Sequence, residues 1–120
     1  MWNKPTKEEL SKLPACYSTE QTPLKEKVIV MHFFLGGCDW YACEYDPEER
    51  NFFGFAILNG DYDNAEWGYF SLEELSGLKV SFLEVDRDLH WNPKKAIEVE
   101  EIRKAQSWEK GEACEHKAAK

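Results

Sequence analysis

The sequence predicts a single α+β domain, in which a mostly antiparallel sheet of four to five strands carries short helices at its ends. Three observations favour this class. The 120 residues suit one domain. Extended apolar and aromatic segments follow one another with short turns between them. Helix-start signals lie before and after these segments. We assign residues 1–107 to the domain and residues 108–120 to a flexible C-terminal tail.

The N-terminal part predicts a short helix and then a buried strand. Thr6 and Glu9 have the spacing of a capping box, which satisfies free backbone N–H groups, and Pro14 ends the helix. Residues 28–35 are apolar except for His32 and rich in β-branched and aromatic side chains. This composition predicts a central strand that is buried on both faces.

Three further strands are predicted after the turn at residues 36–37, at residues 39–46, 51–58 and 66–70. Gly54 weakens its strand, so it indicates a bulge or the close approach of a ring. Strict alternation in residues 39–46 gives two faces, with Asp39, Tyr41, Cys43 and Tyr45 on one side and Trp40, Ala42 and Glu44 on the other.

The C-terminal half predicts two helices and one edge-like strand. Ser71 and Glu74 repeat the capping-box spacing and indicate a helix start. Residues 78–91 alternate weakly, which favours a fifth strand with Val80, Phe82 and Val85 facing inward. Residues 96–108 predict a helix that lies on the sheet.

The net charge is −8 and the isoelectric point is near 4.9. A protein that binds the phosphate backbone needs a basic surface, so direct binding of DNA or RNA is disfavoured. Residues 39–74 contain ten acidic side chains and one basic side chain, Arg50. Two interpretations stay open: a solvated face that keeps the protein in solution, and an acidic patch that meets a basic partner.

No run of about 18 apolar residues is present, so no membrane-spanning helix is predicted. The N-terminal residues lack the apolar segment of a secretory signal, and a cytoplasmic location with reduced cysteines is expected. His32, Cys38 and Cys43, with Asp46, are the candidate metal ligands. A structural zinc site usually has a second cysteine pair, which this chain lacks, and neither a metal nor another cofactor is predicted.

The sequence contains no phosphate-binding loop and no known nucleophile motif. The candidate catalytic residues are Glu44, Glu66, Arg87 and Asp88. Glu44 and Glu66 are flanked by aromatic residues, where partial burial raises the pKa of a carboxyl group. These two carboxylates suit acid–base chemistry, or they have a structural role in which they hold tryptophan N–H and arginine groups in place. We favour the structural role. Residues 87–90 have two interpretations. In one, Asp88 and His90 form a pair in which the carboxylate orients the histidine as a general base; in the other, the segment is structural and Arg87 forms a surface ion pair. Enzymatic activity stays open, and a binding role is favoured.

Aromatic residues supply a further candidate site. Four rings form a platform for a ligand or peptide if they are exposed, and the two carboxylates beside them extend it. The candidate binding residues are Trp40, Tyr41, Glu44, Glu66, Trp67 and Tyr69.

Several linked blocks resemble the DUF2958 family: "KLPACYSTEQTPLKEKVIVMHFF", "DWYACEYDPEERNFFGFA", "EWGYFSLEEL" and "VDRDLHWNPK". The resemblance runs from about Leu10 to Lys94. It implies a small protein of bacterial conjugative plasmids, integrative elements or phages, with no assigned function and no catalytic residues to transfer. Family members often have an aromatic residue where this chain has His90, so an essential histidine is not implied there.

Three functions are therefore expected in this order. The first is a non-enzymatic acidic module that binds a protein of the host or of the mobile element, for example in anti-restriction or anti-CRISPR action. The second is a small hydrolase or nucleotide-modifying enzyme with a carboxylate and arginine pocket. The third is an aromatic ligand- or peptide-binding domain. A monomer or weak homodimer, without nucleic-acid or membrane binding, is expected in each case.

Overall fold

The computed structural model describes residues 1–108. The strands are, in chain order, β1 (Val28–Ile29), β2 (Met31–Leu35), β3 (Cys38–Asp46), β4 (Asn51–Ile57), β5 (Glu66–Ser71), β6 (Lys79–Val80), β7 (Leu83–Glu84), β8 (Asp86–Arg87) and β9 (Lys94–Lys95). The α-helices are α1 (Lys7–Leu10), α2 (Leu72–Gly77) and α3 (Glu100–Gln106). Short 3-10 helices lie at Leu24–Glu26, Tyr62–Asn64 and Ala96–Glu98.

The central sheet is antiparallel and has five strands in the order β5-β4-β3-β2-β8. Strands β2 to β5 form a meander in which neighbours along the chain pair with each other. β1 pairs with β9, and β6 pairs with β7, outside this sheet. The α+β class and the antiparallel sheet predicted from the sequence are confirmed.

Each face of the sheet carries its own hydrophobic core. The first core is covered by α1 and α2, and its buried residues are Leu10, Leu13, Met31, Phe33, Leu35, Trp40, Ala42, Tyr45, Phe52, Phe70, Leu72, Leu75 and Val85. The second core is covered by the Ala96–Glu98 turn and α3, and its buried residues are Ile29, Tyr41, Cys43, Phe55, Ile57, Ala96, Val99 and Ile102. The sheet is therefore the middle layer of the domain.

Both predicted capping boxes are present. The Thr6 hydroxyl accepts the Glu9 N–H, and the Glu9 carboxylate accepts the Thr6 N–H. Ser71 and Glu74 make the same pair of hydrogen bonds at the start of α2. Each box satisfies two backbone donors that a helix start leaves free.

The prediction of one strand over residues 28–35, buried on both faces, is wrong. The segment divides at Val30 into β1, which pairs with β9, and β2, which belongs to the central sheet. Burial alternates along β2, because its odd-numbered side chains enter the first core while His32 and Phe34 are half-buried on the other face. β8, the neighbour of β2 at the sheet edge, has only two residues.

The predicted fifth strand over residues 78–91 is also wrong in its extent. Ser81 has a φ of 58°, and the chain turns there to form the β6–β7 pair. Val80 and Phe82 are consequently 60% and 83% exposed, not inward-facing. Val85 is buried as predicted, and only Asp86–Arg87 extends the central sheet.

The predicted C-terminal helix over residues 96–108 is wrong in its extent. Val99 is extended and divides it into the 3-10 helix Ala96–Glu98 and α3, whose Ile102 is buried in the second core. Trp108 packs against the same core. Residues 109–120, which belong to the predicted flexible tail, lie outside the described residues. Within residues 1–108, no helix is long and apolar enough to cross a membrane.

Candidate ligand-binding cleft

Three aromatic rings on β4 and β5 form one wall of a cleft, which we call the aromatic cleft. Phe53 pairs with Tyr69 across the two strands, and their ring centroids lie 5.2 Å apart. Trp67 stacks on Phe53 at 6.0 Å, and its ring N–H donates to Gln106 at the end of α3. The helix therefore covers the sheet as far as Trp67 and leaves the rings of Phe53 and Tyr69 open.

The loop between α1 and β1 forms the opposite wall. Tyr17 in this loop has a φ of 71°, and its ring lies 6.2 Å from that of Tyr69. The cleft has a volume of about 420 Å³ and is lined by Tyr17, Glu20, Thr22, Pro23, Leu24, Lys27, Glu44, Phe53 and Tyr69. Tyr17 and Tyr69 are 63% and 52% exposed, so their rings are accessible to a ligand.

A buried ion pair lies at the floor of the cleft. Lys27 and Glu44 are only 7% and 3% exposed, and the Lys27 Nζ lies 3.5 Å from Oε2 of Glu44. The Lys27 ammonium also donates to the carbonyl and hydroxyl oxygens of Thr19, each at 2.7 Å. Glu44 accepts the Tyr17 N–H at 3.0 Å and the Thr19 hydroxyl. These contacts fix the loop onto the sheet.

A β-bulge in β3 directs Glu44 into this cleft. The register with β4 shifts between Ala42 and Glu44, so that Cys43 is an extra residue. Glu44 therefore lies on the same side of the sheet as Tyr41, and Tyr45 enters the first core. The strict alternation predicted for this strand holds as far as Cys43, which shares the second core with Tyr41, and is wrong from Glu44 onward, because a bulge shifts every later side chain by one position.

Gly54 explains how the bulge fits. The bulge lies in β3, next to the Gly54 partner Ala42, and not in the strand of Gly54 itself, and the group that approaches Gly54 is backbone and not a ring. A Cβ at residue 54 would lie 1.9 Å from the carbonyl oxygen of Tyr41 and 3.0 Å from the Cα of Ala42. Only glycine allows the two backbones to approach this closely.

The titratable groups in and beside the cleft are engaged by neighbouring residues. The hydrogen bond with Tyr17 raises the pKa of Tyr69 to about 12, so its phenol is neutral at physiological pH. Burial raises the pKa of the Cys43 thiol to about 12, and this thiol donates to the Phe53 carbonyl at 3.4 Å. A thiol in this state is a poor nucleophile. The Lys27 ammonium contacts three acceptors, so it has no hydrogen left for chemistry.

The candidate binding residues fall into three groups. Glu44 and Tyr69 line the aromatic cleft, and Trp67 adjoins it. Trp40 and Tyr41 are buried in the first and the second core, so neither belongs to an exposed platform. Glu66 is exposed at the far end of β5 and makes no side-chain hydrogen bond or ion pair within residues 1–108.

The candidate catalytic residues do not converge on one pocket. Glu66 lies on β5 and Arg87 on β8, at opposite edges of the five-stranded sheet. Four strand spacings separate these edges by about 19 Å. Arg87 pairs with Glu9 at 3.2 Å, and Asp88 follows it at the same edge. Glu44 lies between the two edges, on β3.

His32 lies between two carboxylates, and its ring nitrogens contact neither of the candidate metal ligands Cys38 and Cys43. Its Nε2 is 2.8 Å from Asp39 and its Nδ1 is 3.3 Å from Asp88. Both ring nitrogens are thus engaged by carboxylates. Among the described residues, no group of three histidine, cysteine or carboxylate side chains is arranged to hold a metal ion.

Acidic residues of the 39–74 segment divide between the two ends of the sheet. One end of the sheet carries the β3–β4 turn, and the acidic residues there are Asp46, Glu48, Glu49, Glu73 and Glu74. The opposite end carries the β4–β5 loop, and the acidic residues there are Asp39, Asp61, Asp63 and Glu66. The seven residues of β4 separate the two groups by about 20 Å. Glu44 is buried between them.

Sequence reasoning missed Lys27, Thr19, Tyr17 and Phe53 as residues of this site. Only Lys27 could have been identified from the sequence. It directly precedes an apolar strand, and a lysine that is buried beside such a strand needs a charged or polar partner. The partner itself depends on the bulge, which brings Glu44 to the same face.

The family model described as "Protein of unknown function (DUF2958)" matches residues 6–109. No curated protein and no solved structure gives a significant match to the chain. The family match extends beyond Lys94, where the resemblance drawn from the sequence ended, and it includes α3 and Trp108. Because the match covers most of the 120 residues, the protein belongs to the DUF2958 family, whose function is unknown.

Proposed function

We propose that this protein is a non-enzymatic interaction module that binds a basic protein partner through the aromatic cleft. The observation that carries the proposal is the pair of exposed tyrosine rings, Tyr17 and Tyr69, above a floor whose charges are already paired. An unused ring face attracts a cation, and each such contact contributes about 0.5–2 kcal/mol.

Charge supports a cationic ligand. Lys27 and Glu44 neutralise each other at the floor, so the exposed carboxylate of Glu20 gives the cleft wall a negative charge. The chain as a whole carries a charge of −8, which attracts a basic partner over a distance and raises its association rate. The expected ligand group is an arginine or lysine side chain of the partner.

The arrangement of the polar groups favours binding over catalysis. A catalytic lysine or carboxylate needs a free donor or acceptor that faces the substrate. Lys27 and Glu44 instead use their polar atoms to hold the loop at Tyr17 and Thr19.

The family resemblance adds the context of a bacterial mobile element, with the protein acting in the cytoplasm as a monomer or weak homodimer. Occupation of a basic surface on a restriction or CRISPR nuclease is one form that binding of a basic protein would take. The separation of the acidic residues into two groups is compatible with this role, because long-range attraction depends on the total charge.

The test is quantitative affinity capture from host lysate with the wild-type protein and the Tyr69→Ala variant, at low and moderate salt. Loss of the Tyr69 ring is expected to weaken capture of basic proteins about tenfold, since it removes the cation–π contact and its buried area. Glu20→Gln is expected to weaken capture mainly at low salt, where charge is least screened.

Tyr62→Ala is the matched control, because Tyr62 is an exposed tyrosine outside the cleft. The proposal is supported if basic proteins are captured equally by the wild type and the Tyr62 variant, and about tenfold less by the Tyr69 variant. It fails if no specific partner is captured at either salt concentration, or if the Tyr69 variant captures the same proteins as the wild type.

A further inference from the structure

A second cavity lies on the opposite side of the sheet, over the first core. It has a volume of about 680 Å³ and is bounded by the N-terminal segment with α1, the β3–β4 turn and the start of α2. Its lining residues are Lys4, Pro5, Lys7, Leu10, Ser11, Leu13, Ala15, Tyr45, Pro47, Arg50 and Leu72. We call it the basic-rimmed cavity.

The walls of the basic-rimmed cavity are mostly apolar. Leu10, Leu13 and Leu72 form part of the first core, and two prolines and Ala15 continue the apolar surface outward. Its size is within the range of about 300–1,000 Å³ that is typical of small-molecule sites. A site of this kind takes a ligand with an apolar body.

The charged residues that line the cavity are all cations, although the chain has a net charge of −8. The Arg50 guanidinium lies 3.2 Å from Glu73, which does not line the cavity. The amino groups of Lys4 and Lys7 make no hydrogen bond or ion pair within residues 1–108. Two ammonium groups are therefore free to meet an anion at the rim.

We propose that the basic-rimmed cavity binds a small amphipathic anion. The apolar chain of the ligand lies against Leu10, Leu13 and Leu72, and its anionic head group contacts the ammonium groups of Lys4 and Lys7. No residue of this cavity lines the aromatic cleft, so the inference is independent of the function proposed above.

The probes are decanoate and decyl phosphate below their micelle concentrations, with decyltrimethylammonium as the probe of opposite charge. Binding to the full chain is followed by two-dimensional ¹H–¹⁵N NMR and by calorimetry. We expect saturable binding of at least one anionic probe, with the largest shifts at the backbone amides of Leu10, Leu13 and Leu72. The anionic probe that binds more tightly, decanoate or decyl phosphate, identifies the preferred head group as carboxylate or phosphate.

The double variant Lys4→Gln/Lys7→Gln is expected to weaken anion binding about three- to tenfold, because each exposed charge contact contributes modestly. The matched control is Lys79→Gln/Lys104→Gln, which removes two exposed charges that do not line the cavity. All four side chains are on the surface, so both variants are expected to fold.

Three results would overturn the inference. One is the lack of saturable binding of both anionic probes. Another is equal binding of decyltrimethylammonium, which would indicate unspecific apolar adsorption. The third is an equal loss of affinity in the two double variants, which would assign the effect to net charge and not to the cavity rim.

Discussion

Replacement of Lys27 by methionine is expected to lower the free energy of unfolding by about 3–5 kcal/mol. Methionine keeps much of the volume and the apolar stem of lysine, so the change removes mainly the charge and its hydrogen bonds. Glu44 then stays buried without a cation, and Thr19 loses both contacts with the ammonium group. The buried carboxylate must take up a proton or draw water into the cleft, and both responses cost stability.

The burial of the pair sets this magnitude. The side chains of Lys27 and Glu44 are 7% and 4% exposed, so solvent screens their interaction weakly. The exposed pair of Lys104 and Glu100 is the natural comparison, with 57% and 61% exposure at 3.3 Å. Removal of Lys104 by the same change to methionine is expected to cost less than about 1 kcal/mol.

The assay is urea unfolding followed by tryptophan fluorescence, with Lys27→Met, Glu44→Gln and the double variant compared in one cycle. Glutamine keeps an acceptor for the Tyr17 N–H while it removes the charge of Glu44. The double variant is therefore expected to be more stable than Lys27→Met alone, with a coupling of at least about 1 kcal/mol. The reasoning is refuted if Lys27→Met costs no more than Lys104→Met, or if the two changes at the pair are additive.

Three further predictions concern stability. Gly54→Ala is expected to cost about 4 kcal/mol or more, because its Cβ would lie 1.9 Å from a carbonyl oxygen of β3, whereas Gly68→Ala meets open space and should be tolerated in the same urea assay. The folded domain is expected to lose stability as the pH rises above about 9, since Cys43 has a pKa raised to about 12 and keeps its proton when folded, while the unfolded chain releases it. Cys43→Ala should reduce that slope between pH 8 and pH 10, and an unchanged slope would exclude this thiol as the cause. Ser71→Ala is expected to cost about 1 kcal/mol by removal of the α2 cap, and thermal unfolding without a shift would contradict the capping role.

Local signals in the sequence predicted the parts of the fold that depend on neighbouring residues. The boxes at Thr6 and Ser71 were predictable because a cap and its partner lie three residues apart. The meander was predictable because its strands are separated by short turns. The β6–β7 pair was not, since its turn at Ser81 uses a left-handed φ of 58° in a residue that gives little warning of it.

The candidate site was only partly predictable, because its residues meet through tertiary contacts. Trp67 and Tyr69 share one face of β5, as the alternation of side chains along a strand requires, and both rings contact Phe53. Trp40 and Tyr41 were assigned to the exposed platform because they are aromatic. They are buried because helices cover both faces of the sheet, which residue type does not reveal. Lys27 and Glu44 lie 17 residues apart, and no periodic pattern relates them.

The aromatic cleft depends on one glycine that does not line it. Gly54 allows the bulge in β3, and the bulge turns Glu44 toward the second face of the sheet. Glu44 then binds Lys27 and the backbone of Tyr17, which fixes the loop that forms the outer wall of the cleft. A Gly54→Ala variant in a stabilised background that tolerates the change is therefore expected to fold and still lose binding at Tyr69. Retention of partner capture by such a variant would show instead that the loop is held in place without the bulge.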